Sequence, residues 1–137
     1  MLFEYNIMLI GDQTQDIAAV RCEDQGRECR VIVCYRDKRI EVSAADYFAA
    51  LCQVRVQLER ERLSLFCYGS SVNVRPSGMG RDMALGMQAY RLALGKHARI
   101  SDLVWIFEMG PDITLATVAE QDAFYEEWLK SEKVWSP

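Results

Sequence analysis

Residues 70–83, which read SSVNVRPSGMGRDM, are the first candidate for a chemical site because they are rich in glycine and small polar side chains. A phosphate-binding P-loop requires Gly-x-x-x-x-Gly-Lys followed by Ser or Thr, since its backbone amides and its lysine surround the phosphates. In this chain Gly95 and Lys96 are followed by His97, and Tyr90 occupies the position of the first glycine. The stretch also lacks the third glycine of the dinucleotide-binding pattern. A nucleotide site is therefore not predicted.

The same stretch is better explained as a turn that leads into a short helix. Ser77 can cap a helix, because its side-chain oxygen accepts a hydrogen bond from a free backbone amide. Gly78 and Gly80 admit backbone angles that other residues avoid, and a positive φ at either would make substitution there costly. One helical turn over residues 82–85, ended by Gly86, is predicted to follow. The stretch is thus predicted to determine the fold.

Nucleophilic or metal chemistry would have to use the cysteines or the single histidine. The cysteines are Cys22, Cys29, Cys34, Cys52 and Cys67. They include no Cys-x-x-Cys pair and have no histidine at zinc spacing, so a metal site is not predicted. His97 lies in a polar link between Lys96 and Arg99, a setting typical of an exposed loop. No catalytic residue, cofactor or metal is expected, and the chain is predicted to act by binding.

Charge is distributed unevenly along the chain. The net charge is −4, residues 63–100 contain one acid and five bases, and residues 101–137 contain eight acids and two bases. This asymmetry indicates an acidic face able to steer a cationic partner, with ordinary solvated surface as the alternative. The candidate partner-binding residues lie on the last predicted helix and on N-terminal loops, and they are Glu120, Asp122, Glu126, Glu127, Asp12, Asp16, Glu23 and Asp24.

Two helices are predicted from capping patterns, one beginning at Ser43 and the other at Thr117. The first has an apolar stripe of Tyr47, Leu51, Val54 and Leu58. The residues that it is predicted to turn toward solvent are Arg55, Glu59 and Arg62. The second is predicted to bury Phe124, Tyr125, Trp128 and Leu129, so that its acids project away from the core.

Short runs rich in Val, Ile, Phe and Tyr predict the strands. They cover residues 2–10, 17–22, 29–35, 39–42, 64–68, 88–94 and 103–107. Strands, a helix, more strands and a second helix in succession are typical of an α+β protein. With 137 residues, half of them hydrophobic, the chain is predicted to form a single domain over residues 1–137. The predicted fold is a mainly antiparallel sheet with two main helices packed on one face.

Residues 67–96 carry a more specific pattern than a generic turn. Its members are Cys67, Tyr68, Gly69, Ser70, Ser71, Asn73, Val74, Pro76, Ser77, Gly78, Met79, Arg81, Asp82 and Met83, then Gly86, Ala89, Tyr90, Gly95 and Lys96. Further matching segments are 102–104, 106–107 and 117–121. From about residue 63 onward, roughly half of the chain resembles a group of small bacterial immunity proteins encoded beside polymorphic or contact-dependent growth inhibition toxins.

The resemblance implies a cytoplasmic antitoxin that binds the toxic C-terminal domain of a secreted effector and blocks it. Nucleases are common among such toxins, and an acidic inhibitor associates quickly with their cationic substrate-binding faces. A pI near 5.0 argues against nucleic acid as a partner. No membrane segment is expected, because the apolar runs are shorter than the ~20 residues that span a bilayer. The N-terminal run, which contains Glu4 and has no basic leader, is expected to be a strand and not a signal peptide.

Two other functions stay open at this point. A small enzyme of unrecognised type would use Cys67, His97 or an acid near the glycine-rich turn, and it would show a deep polar cleft. The residues lining that cleft would be Asn73, Ser77, Asp82 and His97. A homo-oligomeric adaptor or chaperone-like protein would dock through Val134 and Trp135, and it would show a large apolar patch around Trp105 and Trp135.

Overall fold

The computed structural model describes residues 1–134, within which it contains eight strands and three α-helices. The strands are β1 (Leu2–Ile10), β2 (Gln15–Gln25), β3 (Glu28–Tyr35), β4 (Lys38–Ala44), β5 (Ser64–Leu65), β6 (Val74–Arg75), β7 (Gln88–Arg91) and β8 (Leu103–Trp105). The helices are α1 (Tyr47–Glu59), α2 (Gly78–Met83) and α3 (Val118–Lys130). Two 3-10 turns lie between these elements, at Tyr68–Ser70 and Ile100–Asp102.

The first four strands form an antiparallel meander. β5 pairs with the other side of β1, so the larger sheet has five strands in the order β4-β3-β2-β1-β5. Burial alternates along β1 and β2, which places one face of the sheet on the core and leaves the other in solvent. Only two residues connect β3 to β4, and the first of them, Arg36, has a φ of 51°. Left-handed backbone of this kind matches the twist of a tight hairpin.

α1 packs across the inner face of the larger sheet. Its buried side chains include Tyr47, Leu51, Val54 and Leu58, as predicted. The predicted start at Ser43 is wrong, because Ser43 and Ala44 still pair with β3 as part of β4. The helix is capped instead by Asp46, whose Oδ1 accepts a 2.7 Å hydrogen bond from the backbone amide of Ala49. A carboxylate satisfies the free amides of the first turn as well as a serine does.

The smaller sheet consists of β6, β7 and β8 in that order, again antiparallel. The side chains that it contributes to the core include Val74, Ala89 and Val104. The sequence does not predict β6, because two residues are too few to give a periodic signal. Its pairing partners, Arg91 and Tyr90 on β7, define it as a strand.

α3 begins with the predicted capping box. Thr117 Oγ1 accepts a 3.1 Å hydrogen bond from the Glu120 amide, and Glu120 Oε1 accepts one of 2.8 Å from the Thr117 amide. The apolar stripe of α3 is less buried than predicted, since Leu129 is 49% exposed. Three further members are only half-buried, namely Phe124, Tyr125 and Trp128. α3 therefore lies over the rest of the protein and is not embedded in it.

The predicted α+β class with a mainly antiparallel sheet is confirmed. α1 covers one face of the larger sheet, and α3 contacts α1. None of the helices within residues 1–134 is both long enough and apolar enough to cross a lipid bilayer.

Candidate functional site

Residues 67–74, which begin the sequence pattern described above for residues 67–96, are mostly buried and connect the two sheets. Ser71 is fully buried, and its Oγ donates to Asn73 Oδ1 over 3.1 Å and accepts from the Thr114 amide over 3.0 Å. Gly69 is buried too, and a Cβ there would collide with Leu51 and lie 3.1 Å from the Ile106 carbonyl oxygen. These residues therefore stabilise the fold, as predicted from the sequence.

Tyr68 belongs to the same buried segment and carries a polar contact at its edge. Its hydroxyl donates a 2.6 Å hydrogen bond to Asp112 Oδ1, and Arg91 Nη1 lies 3.0 Å from Asp112 Oδ2. Arg91 also donates to the carbonyl oxygens of Ser101 and Asp102. The Tyr68 hydroxyl first, and then the Arg91 guanidinium, lower the pKa of Asp112 below its usual value. The carboxylate thus ties the segment around residue 68 to the loop around residue 112.

This contact predicts a pH dependence of stability. A carboxyl group whose pKa is lowered by folding stabilises the protein above its unfolded pKa of about 3.9, and the contribution is lost as pH falls through the folded pKa. We therefore expect wild type to be more stable than Asp112→Asn near neutral pH, with the difference shrinking as pH falls below about 4. Denaturant titrations at a series of pH values measure this difference. A difference that stays constant with pH would rule out the assignment, and Tyr68→Phe should reproduce part of the effect.

The stretch of the pattern from Ser77 to Met83 contains no buried residue. Ser77 is the N-cap of α2, with its Oγ accepting a 2.9 Å hydrogen bond from the Gly80 amide. The helix predicted over residues 82–85 is instead Gly78–Met83, because this cap starts it earlier. Left-handed backbone at Leu85 (φ 53°) and Gly86 (φ 71°) then ends it.

A positive φ is found at neither Gly78 nor Gly80. Both lie inside α2, and a Cβ on Gly78 would meet open space. The two methionines of α2 are among the most exposed apolar side chains, with Met79 71% and Met83 80% exposed. Ser77–Met83 therefore contributes no side chain to the core, in contrast to Ala89 later in the pattern.

Arg55 is buried, although the sequence pattern predicts it on the solvent face of α1. Its side chain is only 3% exposed. Its guanidinium donates to the Gly69 carbonyl oxygen (3.0 Å), to Gln121 Oε1 (2.6 Å) and to the Ala116 carbonyl oxygen (2.9 Å). These acceptors come from segments far from Arg55 in sequence, so no local pattern indicates them.

Gln121 completes this buried polar cluster. Its Nε2 donates to the carbonyl oxygens of Gly69, Ser71 and Val74 over 2.8–3.1 Å. Arg55 and Gln121 thus join α1, residues 67–74 and α3 by hydrogen bonds. Every buried polar atom of the two side chains has a hydrogen-bond partner. α3 is therefore held at its N-terminal end in a fixed position.

Arg75 adds a second attachment for α3. Its guanidinium carbon lies 4.5 Å from the centre of the Tyr125 ring, and Nη1 lies 2.7 Å from Asp122 Oδ1. A guanidinium stacked on an aromatic face and paired with a carboxylate is held in one orientation. The predicted site residue Asp122 is consequently neutralised within the protein.

The predicted N-terminal site residues do not form one cluster. Asp16 lies at the start of β2 and Asp12 just before it, whereas Glu23 and Asp24 lie at the other end of the strand. Each is paired internally. The partners are Arg62 for Asp12 (3.8 Å), Arg36 for Asp16 (2.8 Å), Arg30 for Glu23 (2.6 Å), and the amino terminus (3.5 Å) and the Tyr47 hydroxyl (2.8 Å) for Asp24.

The α3 acids are arranged differently. Successive residues of a helix are about 100° apart, so Asp122 and Glu126 share one flank, and Glu120 and Glu127 share the other. Glu120 is used in the capping box, and the amide and hydroxyl of Thr117 lower its pKa. Within residues 1–134, no ion pair involves Glu126 or Glu127, and both are exposed. These two carboxylates carry uncompensated charge on a well-anchored helix.

The residues of the alternative enzyme site are not gathered in a cleft. His97 lines a depression of about 280 Å³ together with Arg91, Lys96, Arg99 and Asp102. That depression is not lined by the other predicted cleft residues, which are Asn73, Ser77 and Asp82. Among residues 1–134, no group of three or more His, Cys, Asp and Glu side chains is placed to hold a metal ion.

Four of the five thiols are poor nucleophiles. Burial raises the pKa of Cys22 to about 12 and that of Cys29 to about 11, and it also raises the pKa of Cys52 and of Cys67. A thiol attacks as its thiolate, so these groups stay unreactive near neutral pH. Cys67, the cysteine considered for the enzyme alternative, is instead a core residue whose Sγ forms a 3.7 Å hydrogen bond with Ser70 Oγ.

The patch expected for an adaptor is represented by Trp105, which is 47% exposed at the edge of the smaller sheet. Trp135, the other residue predicted for that patch, lies outside the described residues.

Comparison with known families finds no family model that matches the chain, and comparison with curated proteins finds no match either. The function is therefore inferred from the surfaces described above.

Proposed function

We propose that the protein is a cytoplasmic immunity protein that binds and neutralises the toxic C-terminal domain of a contact-dependent or other polymorphic toxin. The observation that carries this proposal is the pair of exposed carboxylates, Glu126 and Glu127, for which residues 1–134 supply no ion-pair partner. Most other acids of the predicted set are already paired. A charge that the protein does not use internally is available to a partner.

The anchoring of α3 supports the same proposal. Hydrogen bonds from Arg55 and Gln121 fix its N-terminal end, and Arg75 fixes its middle through Tyr125 and Asp122. A rigid surface loses little conformational entropy on association, which favours tight binding. The acids of α3 are thus presented in a preorganised array.

A cationic partner fits this array best. A nuclease toxin has a positively charged substrate-binding face, and an acidic helix would be steered toward it and would compete with nucleic acid. The buried, high-pKa thiols favour binding over covalent catalysis as the protein's mode of action.

The test is the association of the full chain with the toxin domain encoded beside its gene. We expect Glu126→Gln/Glu127→Gln to slow association about three- to tenfold at low salt and to flatten its salt dependence, because exposed pairs contribute roughly 0–1 kcal/mol each. Adding Glu120→Gln should extend the effect, whereas Asp122→Asn should add little because Asp122 is already paired with Arg75. Stopped-flow or biosensor kinetics at low and high salt measure it.

The matched control is Asp16→Asn/Glu23→Gln, which changes the net charge by the same amount on the larger sheet, at acids that are already paired. We expect this variant to associate nearly as fast as the parent. If the α3 variant keeps the parent rate at both salt concentrations, or if the control slows association equally, α3 is not the binding face.

A further inference from the structure

One edge of β1 is open. β1 pairs with β2 along its whole length, from Leu2 to Ile10. On its other side it pairs with β5 only at Leu9 and Ile10. Residues 2–7 of β1 therefore have no strand beside them on that side, among the residues that the structure describes.

The backbone groups at this edge can be identified from the register. The Phe66 amide donates a 2.8 Å hydrogen bond to the Met8 carbonyl oxygen, so Met8 points its backbone groups toward the β5 side. Hydrogen-bonding direction alternates along an antiparallel strand. The amide and carbonyl of Glu4 and Asn6 consequently face the open edge. Within residues 1–134, no backbone hydrogen bond joins either residue to another segment on that side.

A groove of about 280 Å³ runs beside this edge. Its far wall is apolar and carries one acid, and it consists of Phe66, Phe107, Glu108 and Met109. The Phe107 ring stacks on Tyr5 with 5.3 Å between the ring centres, so this wall is fixed against β1. Glu108 is exposed, and it makes no ion pair with any residue in 1–134.

We infer that this open edge of β1 is a docking site for an extended segment of a protein partner that carries lysine or arginine. Only an extended backbone can match the outward amides and carbonyls of Glu4 and Asn6 along the strand. The segment would extend the strand pairing that β5 makes with the C-terminal end of β1. Basic side chains on it would meet Glu108, and also Glu4, whose pairing with Arg21 (3.3 Å) is exposed.

The opposite edge of the sheet is less suited to this role. It is formed by β4, whose outward positions carry charges, including Arg39 and Glu41 paired at 2.7 Å. Charged residues along an edge strand discourage the addition of another strand. The open part of β1 has Glu4 as its only charged residue.

A second copy of this chain is a poorer occupant. Two open β1 edges that pair antiparallel about a two-fold axis form the most backbone pairs in the register that overlaps residues 2–6, with Glu4 at the centre. Glu4 would then lie opposite Glu4 of the other copy, and like charges directly opposite each other destabilise a strand pair. A basic segment of a different protein avoids this repulsion.

The experiment uses the full chain and two acetylated heptapeptides, Thr-Lys-Val-Lys-Val-Lys-Thr and the same peptide with glutamate in place of lysine. Amide hydrogen exchange, read by NMR, should slow about tenfold at Glu4 and Asn6 with saturating lysine peptide and remain unchanged with the glutamate peptide. Glu108→Gln should weaken lysine-peptide binding about threefold or more. Asn6→Pro removes an amide that serves only the open edge and should abolish binding.

Three results would overturn the inference. They are unchanged exchange at Glu4 and Asn6 with the lysine peptide, equal slowing by the two peptides, and slowing that grows with protein concentration when no peptide is present. The last would assign the edge to a second copy. If Asn6→Pro fails to fold, the Glu108→Gln titration and the exchange measurements decide the question. No toxin is needed, so the outcome is independent of the proposed immunity function.

Discussion

Replacing Arg55 by methionine should lower the free energy of unfolding by about 2–5 kcal/mol. The methionine keeps most of the apolar stem but removes every donor. Gln121 Oε1 would then be buried without its hydrogen bond from Arg55, and the part-buried Ala116 carbonyl oxygen would lose its bond as well. Each buried acceptor left unsatisfied costs about 1–3 kcal/mol. Denaturant or thermal unfolding of the two proteins measures the difference.

Arg60 provides a matched control for this substitution. It lies at the end of the same helix, it is exposed, and no ion pair involves it within residues 1–134. Arg60→Met should therefore change stability by no more than about 0.5 kcal/mol. A folded Arg55→Met protein as stable as the parent would mean that the cost of burying the guanidinium cancels its hydrogen bonds. The cluster would then not be what holds α3 in place.

Alanine substitutions at two glycines of the family-like pattern should have opposite effects. Gly69→Ala should cost about 1–3 kcal/mol through overpacking, because its Cβ would collide with the buried side chain of Leu51 and crowd Ile106. Gly78→Ala should be neutral or stabilise by up to about 1 kcal/mol, because the Cβ meets open space and alanine favours the helix. Thermal melts of both variants provide the measurement.

The contrast separates the buried residues 67–74 from the exposed stretch Ser77–Met83. If Gly78→Ala destabilised the protein as much as Gly69→Ala does, the exposed stretch would also be needed for folding. If Gly78→Ala kept its stability but lost partner binding, α2 would belong to an interaction surface. Its exposed methionines, Met79 and Met83, would then be the first residues to test, since methionine adapts readily to a partner.

The strands of the larger sheet and the apolar face of α1 follow from the sequence alone. Period-2 alternation predicts β1 over its full observed length, Leu2–Ile10. The 3.6-residue period predicts the buried stripe of α1 that includes Leu51 and Val54. The capping box at Thr117 is equally local, because its hydrogen bonds join residues three apart. Signals that arise within one turn or one strand are readable without the fold.

Helix and strand boundaries that depend on strand pairing could not be predicted from the sequence alone. Ser43 and Asp46 are both good helix caps, and only the pairing of β4 with β3 through Ala44 selects Asp46. β6 is a strand only because β7 lies beside it. In each case two local solutions are nearly equal, and a partner distant in sequence decides between them.

The sequence by itself determined the α+β class, the antiparallel sheet, the caps at Ser77 and Thr117 and the excess of acid in the C-terminal quarter. The tertiary structure decided which charges remain available. Arg55 is buried because acceptors from residues 69, 116 and 121 converge on it, and Asp122 is neutralised because β6 brings Arg75 to α3. The charge of a residue is set by its type, but the compensation of that charge depends on neighbours that only folding brings together.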